Sequence, residues 1–380
     1  MIRVLIADDS AFMRMVLSDL FKKQADFEVV DTAKNGKEAI EKVLKLKPDL
    51  LTMDINMPIM DGLQALEVIM KDCPLPVVMC SSLTKEGADA TIQALSLGAV
   101  DFINKTGGSV SRIDTIEGEI IRKCRAAAGV RLNRLRPPLR PSLRAESPPS
   151  PTKRVTLPPL RASSVPLSKT PLYERAKLTP PVVASEEALG DHNKLVVIGT
   201  STGGPKALQT VITGLPKNLP CGVLVVQHMP PGFTKSLAER LDEISQISVK
   251  EAENHDMIER GRVYIAPGNY HMTVVSSAKG REILLNQDPP IGTLRPAADI
   301  LFNSVAPLGK EIVSVILTGM GADGAAGMKE IKGHGGYVIA EAEETCVVYG
   351  MPKAVIEQGL ADEIRALPEI AGAIVNAVKH

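Results

Sequence analysis

The sequence lacks an unbroken apolar run long enough to cross a bilayer, although 44% of its 380 residues are hydrophobic. It also lacks the pattern of a secretory signal, because Asp8 and Asp9 directly follow its first short apolar run. We therefore expect a cytoplasmic, globular protein that is not inserted in a membrane. Its length predicts about two domains, each large enough for its own core.

Paired cysteines are missing as well. The five cysteines are an odd number, and no two of them stand in a Cys-x-x-Cys pattern. This spacing argues against both a disulfide framework and a zinc site. We expect reduced thiols that pack as small apolar side chains.

The chain has no excess of either charge, with 44 basic and 44 acidic residues. Residues 1–130 carry 16 Lys and Arg against 19 Asp and Glu, residues 131–192 carry 11 against 5, and residues 193–380 carry 17 against 20. Both outer regions are mildly acidic. Neither therefore has the basic surface of a nucleic-acid-binding domain.

Short apolar runs alternate with helical periodicity over the first 125 residues or so. Helical patterns separate five predicted strands, at 4–7, 28–33, 50–53, 77–80 and 100–103. Such short connections predict a flavodoxin-like (βα)5 domain, with a parallel sheet covered by helices on both faces and a site at the carboxyl ends of its strands.

Polar side chains gather at those strand ends, namely Asp8, Asp9, Asp54, Ser81 and Lys105. Solvated turn residues are the simplest explanation for any one carboxylate, but not for three at successive strand ends. Carboxylates a few ångströms apart repel by roughly 1 to 4 kcal/mol per pair. A hard divalent cation, most plausibly Mg²⁺, would relieve that repulsion.

With these residues, the first 125 positions resemble a response-regulator receiver domain. The resemblance implies that Asp54 accepts a phosphoryl group from a chemotaxis histidine kinase, and that Mg²⁺ is held by Asp8, Asp9, Asp54 and the Asn56 carbonyl. It also implies that Ser81 and Lys105 contact the phosphoryl group and that Phe102 is the aromatic switch residue. The chain departs from the family at Lys105-Thr106, where Lys-Pro is usual, so the loop geometry there is open.

A proline-rich segment follows. Residues 137–181 hold 12 of the 28 prolines, with Ser, Thr and Arg between them. Such a segment buries too little apolar surface to offset its ordering entropy, which predicts an extended or disordered tether. The predicted organisation is a first domain at 1–125, a basic linker at 126–192 and a second domain at 193–380.

The second domain opens on Leu195-Val-Val-Ile-Gly-Thr-Ser-Thr-Gly-Gly-Pro, in which a buried strand leads into a helix start. Glycines at 199 and 203 flank Ser201 in the Gly-x-Ser-x-Gly spacing, which exposes a hydroxyl at a sharp turn. Backbone N–H groups at a helix start can also hold a phosphate. From the motif alone, Ser201 could be a nucleophile or the loop could bind a phosphate, and both interpretations stay open.

Two further polar residues follow predicted parallel strands, His228 after 222–227 and Asp323 after 312–317. Strand ends converge on one crevice in a doubly wound sheet. Serine, a base and an orienting carboxylate are together the parts of an activated nucleophile. Three short runs between 261 and 287 predict an antiparallel excursion. We assign no role to His192, His255, His271, His334 or His380.

Across 193–360 the chain resembles the catalytic domain of the chemotaxis protein-glutamate methylesterases. The match is carried by Gly199-Thr-Ser-Thr-Gly-Gly, Gln227-His-Met-Pro-Pro-Gly-Phe-Thr, Tyr264-Ile-Ala-Pro-Gly, Leu317-Thr-Gly-Met-Gly-Ala-Asp-Gly and Gly350-Met-Pro. The resemblance implies Ser201 as nucleophile, His228 as general base and acid, Asp323 as orienting carboxylate, and an oxyanion hole from the backbone N–H groups of Thr202 and Met320.

The same resemblance implies a monomeric hydrolase, needing no cofactor for the ester chemistry, that demethylates and deamidates methyl-accepting chemotaxis receptors under control of the phosphorylated receiver. Two other classes remain to be weighed. A non-catalytic module could bind a nucleotide at the 199–206 loop, but no Gly-Lys-Ser follows it. A DNA-binding output domain conflicts with the acidic charge of residues 193–380.

Overall fold

The structure is a computed structural model that describes residues 1–82, 84–105, 113–130, 193–278 and 280–379, with the backbone alone described at 113–116. The predicted linker at 131–192 and Thr106 lie outside the described residues. The limits of the three predicted regions therefore stay predictions.

The first part of the chain is a parallel sheet in the order β2-β1-β3-β4-β5. Its strands are β1 (Ile2–Ala7), β2 (Phe27–Ala33), β3 (Leu50–Asp54), β4 (Val77–Ser81) and β5 (Asp101–Asn104). Its helices are α1 (Ala11–Lys22), α2 (Gly36–Leu46), α3 (Gly62–Asp72), α4 (Lys85–Leu97) and α5 (Ile113–Ala128). The predicted flavodoxin-like arrangement is confirmed.

Side-chain caps start four helices of this part. Ser10, Asn35, Asp61 and Thr84 each accept a hydrogen bond from a backbone N–H three residues on, at 2.8–3.3 Å. These bonds satisfy donors that the first helical turn leaves without partners. Each of these helices thus begins at a defined residue.

The second part is a larger parallel sheet in the order β14-β13-β12-β6-β7-β9-β8, with a separate antiparallel hairpin of β10 and β11. Its strands are β6 (Leu195–Thr200), β7 (Gly222–Gln227), β8 (Ser248–Glu251), β9 (Arg262–Ile265), β10 (His271–Ser277), β11 (Gly280–Asn286), β12 (Ile312–Ile316), β13 (Tyr337–Glu341) and β14 (Glu363–Arg365). Its helices are α6 (Gly204–Thr213), α7 (Phe233–Ile244), α8 (Ala298–Val305), α9 (Ala325–Gly333), α10 (Met351–Glu357) and α11 (Leu367–Ala377).

One detail of the predicted antiparallel excursion is wrong. The first of its three runs forms β9, which pairs in parallel with both β7 and β8. Only β10 and β11 form the hairpin. A four-residue apolar run carries no signal for the direction of its partner, so periodicity could not separate it from the hairpin strands.

The helices that face the carboxyl ends of this sheet begin differently. Gly203, Gly232 and Gly324 precede α6, α7 and α9, and none of them supplies a side-chain cap. Each glycine has a positive φ of 80° to 93°, a conformation that costs glycine little. These helix starts therefore offer their N–H groups to other partners.

The two parts pack against each other through α4, which contacts α6 and α7. Phe102 at the end of the first sheet stacks on Phe233 of α7, with ring centroids 4.7 Å apart and planes 12° apart. Both rings are buried. Within the described residues, we find no helix that combines the length and the apolar character needed to span a membrane.

A fold prediction concerns Phe302 of α8, which is fully buried and packs under Gly199, Gly324 and Gly327. We expect Phe302→Ala to lower the free energy of unfolding by about 3–5 kcal/mol, because a large ring is lost from a packed core. Urea unfolding followed by circular dichroism measures the change. Phe12→Ala, at a ring that is 65% exposed, is the control. A loss below about 1 kcal/mol for Phe302→Ala would show that the core there collapses freely.

Candidate active site and acidic site

The predicted acidic residues of the first part come together. Asp8, Asp9 and Asp54 each offer a carboxylate oxygen, and these oxygens lie within 4.8 Å of one another. Asp8 and Asp54 are buried and Asp9 is exposed, so the group opens to solvent on one side. Parallel pairing of β1 with β3 brings these strand ends side by side.

Lys105 bridges the two buried carboxylates. Its Nζ lies 2.8 Å from Asp8 Oδ2 and 2.7 Å from Asp54 Oδ2. Burial raises the pKa of Asp54 and outweighs the lowering by Lys105, while Asp8 adds to the rise. Burial alone would lower the pKa of Lys105, but its ion pairs with Asp54 and Asp8 raise it overall. The ion pairs thus offset part of the cost of burying two like charges.

The same group of oxygens fits a hard divalent cation. Asp8 Oδ2 is buried and, although close to Lys105, makes no well-aligned hydrogen bond within the described part of the chain. Magnesium prefers carboxylate and carbonyl oxygens of this kind. The residues present would suit Mg²⁺, with Asp8, Asp9 and Asp54 as ligands, while the Asn56 carbonyl stays a predicted one.

Ser81 is oriented differently from its predicted role. Its hydroxyl is buried and donates to the backbone carbonyl of Gly87, at 2.9 Å, in the first turn of α4. Contact with a phosphoryl group on Asp54 would require this bond to break. Its phosphoryl-binding role therefore remains a prediction, and the bond ties β4 to α4 in the present state.

The turn that carries Ser201 is held from both sides. Ser201 N–H donates to the Thr318 carbonyl at 3.1 Å, and its carbonyl accepts from Gln227 Nε2 at 2.9 Å. Gly204 must lack a side chain here, because a Cβ would lie 2.0 Å from Gln227 Oε1 and 2.4 Å from Thr200 Oγ1. The close approach explains the second glycine of Gly203-Gly204.

His228 and Asp323 form a buried pair. His228 Nε2 lies 2.7 Å from Asp323 Oδ2, and both side chains are more than nine-tenths buried. Burial would raise the pKa of Asp323, but its hydrogen bond with His228 and the bonds from the Asp299 and Ala298 backbone N–H groups lower it overall. The carboxylate is thus held ionised beside the ring. Because Asp323 binds Nε2, Nδ1 is the ring nitrogen left for another partner.

Ser201 lies on the wall of the same crevice as His228 and Met320. Among the described residues its hydroxyl makes no hydrogen bond to the His228 ring. Catalytic hydrogen bonds are often long before substrate binds and shorten in the substrate complex. In that part of the chain, the backbone N–H groups of Thr202 and Met320 also have no acceptor, which keeps both predicted oxyanion donors available.

The crevice has a volume of about 740 Å³, and both parts of the chain line it. Asp101, Phe102, Arg122 and Lys123 come from the first part. The hydroxyl of Thr202 donates to Asp101 Oδ2 at 2.6 Å, and this bond is buried. Lys123 Nζ lies 3.3 Å from Asp101 Oδ1 and gives this buried carboxylate an ion-pair partner.

Three residues of this site were not found from the sequence. Thr318 joins the 200–202 turn, because its carbonyl also accepts from Thr200 Oγ1, at 2.9 Å, and its hydroxyl donates to the Thr202 carbonyl at 3.0 Å. Glu341 is fully buried and accepts from Thr318 N–H at 2.7 Å. Glu341 is the one charged residue of β13 and stands at its carboxyl end, so the strand-end pattern could have found it. Nothing local marks Asp101, whose partner lies 101 positions away.

Two parallel α/β sheets, one with an acidic site and one with serine, histidine and aspartate at its strand ends, define a response regulator joined to an α/β effector. The family models agree: residues 4–116 match the response regulator receiver domain, and residues 196–374 match CheB methylesterase.

Relatives extend the match over nearly the whole chain. It is 46% identical over 374 residues to a protein-glutamate methylesterase/protein-glutamine glutaminase of Archaeoglobus fulgidus, covering 98% of this chain and 97% of that one. It is 48% identical over 382 residues to one of Symbiobacterium thermophilum, covering 99% and 97%. The solved CheB methylesterase catalytic domain of Thermotoga maritima is 48% identical, covers 49% of this chain and 98% of its own, and has a TM-score of 0.48. The chain belongs to the CheB methylesterase family.

The acidic site yields a stability prediction. Because burial raises the pKa of Asp54, the folded chain binds a proton there more readily than the unfolded chain. Ionised Asp54 therefore lowers stability in full above its folded pKa, and this penalty fades as the pH falls from that pKa toward the ordinary value of 3.8, below which it is gone. We expect Asp54→Asn, without Mg²⁺, to raise the free energy of unfolding at neutral pH by about 1 kcal/mol, the scale of one like-charge contact.

Urea unfolding across a pH series measures this effect. Asp89→Asn, at an exposed carboxylate on α4, is the control and should change nothing. A gain in the Asp54 variant that grows toward acid pH would contradict the stated cause.

Proposed function

We propose that this chain hydrolyses γ-glutamyl methyl esters on methyl-accepting chemotaxis receptors, releasing methanol, and deamidates particular receptor glutamines, under control of phosphorylation at Asp54. The names of its relatives and their match over nearly the whole chain support the substrate class. The observation that carries the chemistry is the buried bond between His228 and Asp323 beside the Ser201 turn. A loop that only binds phosphate does not need a histidine oriented by a carboxylate.

The first step makes an acyl-enzyme. Ser201 Oγ attacks the ester carbonyl carbon while His228 takes its proton, at Nδ1 because Nε2 faces Asp323. Negative charge develops on the carbonyl oxygen, where the N–H groups of Thr202 and Met320 would stabilise it. Asp323 stabilises the imidazolium and keeps its orientation. The His228 proton then passes to the departing methoxide, which leaves as methanol.

The second step regenerates the enzyme. His228 takes a proton from water, which attacks the acyl carbon and breaks its bond to Ser201 Oγ. The serine recovers its proton, and a glutamate carboxylate is released. A glutamine side chain follows the same route with ammonia as the leaving group, so one site serves both reactions.

Regulation follows from the contact between the two parts. Asp54 would accept a phosphoryl group from a histidine kinase, with bound Mg²⁺ neutralising charge on the phosphoryl oxygens. The unphosphorylated receiver would hold Thr202 through Asp101 and Phe233 through Phe102, and so restrict the crevice. Phosphorylation would draw Ser81 away from Gly87 and loosen α4 and β5, which carry this contact. We place the protein in the cytoplasm as a monomer.

The serine assignment is tested by Ser201→Ala. We expect methanol release from methylated receptor membranes to fall by about 10⁴-fold or more, because the acyl acceptor is lost. Gas chromatography of released methanol measures the rate. Ser276→Ala, at an exposed serine on the hairpin, is the matched control. Release that survives at the wild-type rate in Ser201→Ala would refute the proposed function.

The receiver contact is tested by Thr202→Val, which removes the hydroxyl but keeps the backbone N–H. A buried hydrogen bond to a charged group is worth about 1.5–3 kcal/mol. We therefore expect unphosphorylated activity to rise by about tenfold or more, with little change after phosphorylation.

Activity with and without a small-molecule phosphodonor and Mg²⁺ measures both states, with Thr210→Val on α6 as control. Asp54→Asn should abolish the response to the phosphodonor and retain no acyl-phosphate label. An unphosphorylated Thr202→Val enzyme no faster than wild type would show that Asp101 does not restrain the site.

A further inference from the structure

The starts of α8 and α9 cap each other across the effector part. Neither helix has a side-chain cap at its own N-cap residue, Ala297 or Gly324. Asp323, just before α9, accepts from two N–H groups in the first turn of α8. Asp299, in the first turn of α8, accepts from Gly327 N–H in the first turn of α9, at 2.7 Å. Each helix thus supplies the carboxylate that the other lacks.

The cap given by Asp323 uses both carboxylate oxygens. Oδ2 accepts from Ala298 N–H at 2.6 Å, and Oδ1 accepts from Asp299 N–H at 3.0 Å. Oδ2 also faces His228 Nε2 at 2.7 Å. A carboxylate held at two points on a helix end cannot rotate, so α8 sets the direction in which Asp323 meets His228. The helix dipole favours the negative charge there.

The cap given by Asp299 holds the start of α9, directly after the turn that carries Asp323. Asp323 lies one residue before Gly324, whose φ is 93°. Gly327 packs tightly on α8, since a Cβ there would lie 2.4 Å from Phe302 Cβ. The turn that carries Asp323 is therefore tied to α8 by Asp299 as well as by packing.

The two carboxylates lie close enough to interact. Burial raises the pKa of Asp299, and the negative charge of Asp323 adds to that rise against the lowering by the Gly327 and Gly324 backbone. Placing two acids side by side carries an electrostatic cost, although the proposed mechanism uses only Asp323. We take the positioning of Asp323 to be the role that Asp299 serves.

We propose that Asp299 is a positioning residue for ester hydrolysis, which acts by holding the Asp323 carboxylate against His228 through the reciprocal cap of α8 and α9. Asp299 does not line the crevice or touch its serine. Its effect should therefore appear in the rate of the chemical step and not in substrate affinity. This inference rests on the proposed hydrolase function.

The test compares Asp299→Ala, Asp299→Asn and Asp299→Glu in the full chain, with kcat and KM for methanol release from methylated receptor membranes. We expect alanine to lower kcat about 10- to 100-fold with KM within twofold. Asparagine keeps an oxygen for Gly327 N–H and should stay within threefold of wild type. Glutamate keeps the charge but moves the carboxylate by one methylene, and should lose about tenfold in kcat.

The matched control is Asp242→Ala. Asp242 Oδ1 accepts from Val249 N–H at 2.7 Å and joins α7 to β8 away from the crevice. This variant should lower the melting temperature without lowering kcat. An Asp299→Ala enzyme with kcat within twofold of wild type, an asparagine variant as slow as the alanine one, or an equal kcat loss in Asp242→Ala would each overturn the proposal.

A double variant separates positioning from any independent role. If Asp299 acts through Asp323, adding Asp299→Ala to Asp323→Asn should lower kcat by less than twofold further, since coupled residues are not additive. A full second loss would contradict the proposal. Activity surviving in Ser201→Ala would instead refute the hydrolase function itself, so the two failures are distinguishable.

Discussion

The hydrogen bond between the His228 ring and the Asp323 carboxylate is the interaction on which the rest of the effector site depends. Both side chains are buried, so an unpaired carboxylate there would carry a large desolvation cost. Hydrogen bonds from two backbone N–H groups at the start of α8 and from the His228 ring offset that cost. The residue that orients the base is thus also a structural cap, and stability and chemistry share one group.

Residues with two roles also occur where the two parts of the chain meet. Thr202 belongs to the Ser201 turn, yet its hydroxyl binds a carboxylate of the first part. Phe102 lies on the strand next to that of Ser81 and stacks on the first residue of α7. Under the proposed regulation, a change at Asp54 would reach the crevice through these packed side chains. Because these contacts are buried and closely packed, the proposed regulation would switch the two parts between two discrete arrangements.

Much of this could be predicted because parallel α/β folds place function at strand ends. Asp8, Asp54, Ser201, His228 and Asp323 were all found from an apolar run followed by a polar residue. Short edge strands such as β14, with three residues, leave no such signal.

What the sequence could not show are bonds between distant positions. Asp299 lies in an ordinary helix start, and Asp101 is one acid within an apolar run. Only the packing of α8 on α9, and of the first part on the second, gives either residue a partner. Similarly, the hydroxyl of Ser81 turns toward α4, a rotamer that no local pattern encodes.

The proposed mechanism requires that the proton of neutral His228 lies on Nε2, toward Asp323, so that Nδ1 can accept the Ser201 proton. Nuclear magnetic resonance of the full chain labelled with ¹⁵N-histidine, with His228→Gln to assign the signal, reads this tautomer directly. We predict a protonated Nε2 and an unprotonated Nδ1 in the neutral ring. A proton on Nδ1 of the neutral ring would contradict the proposed mechanism, because that nitrogen could not then act as the base.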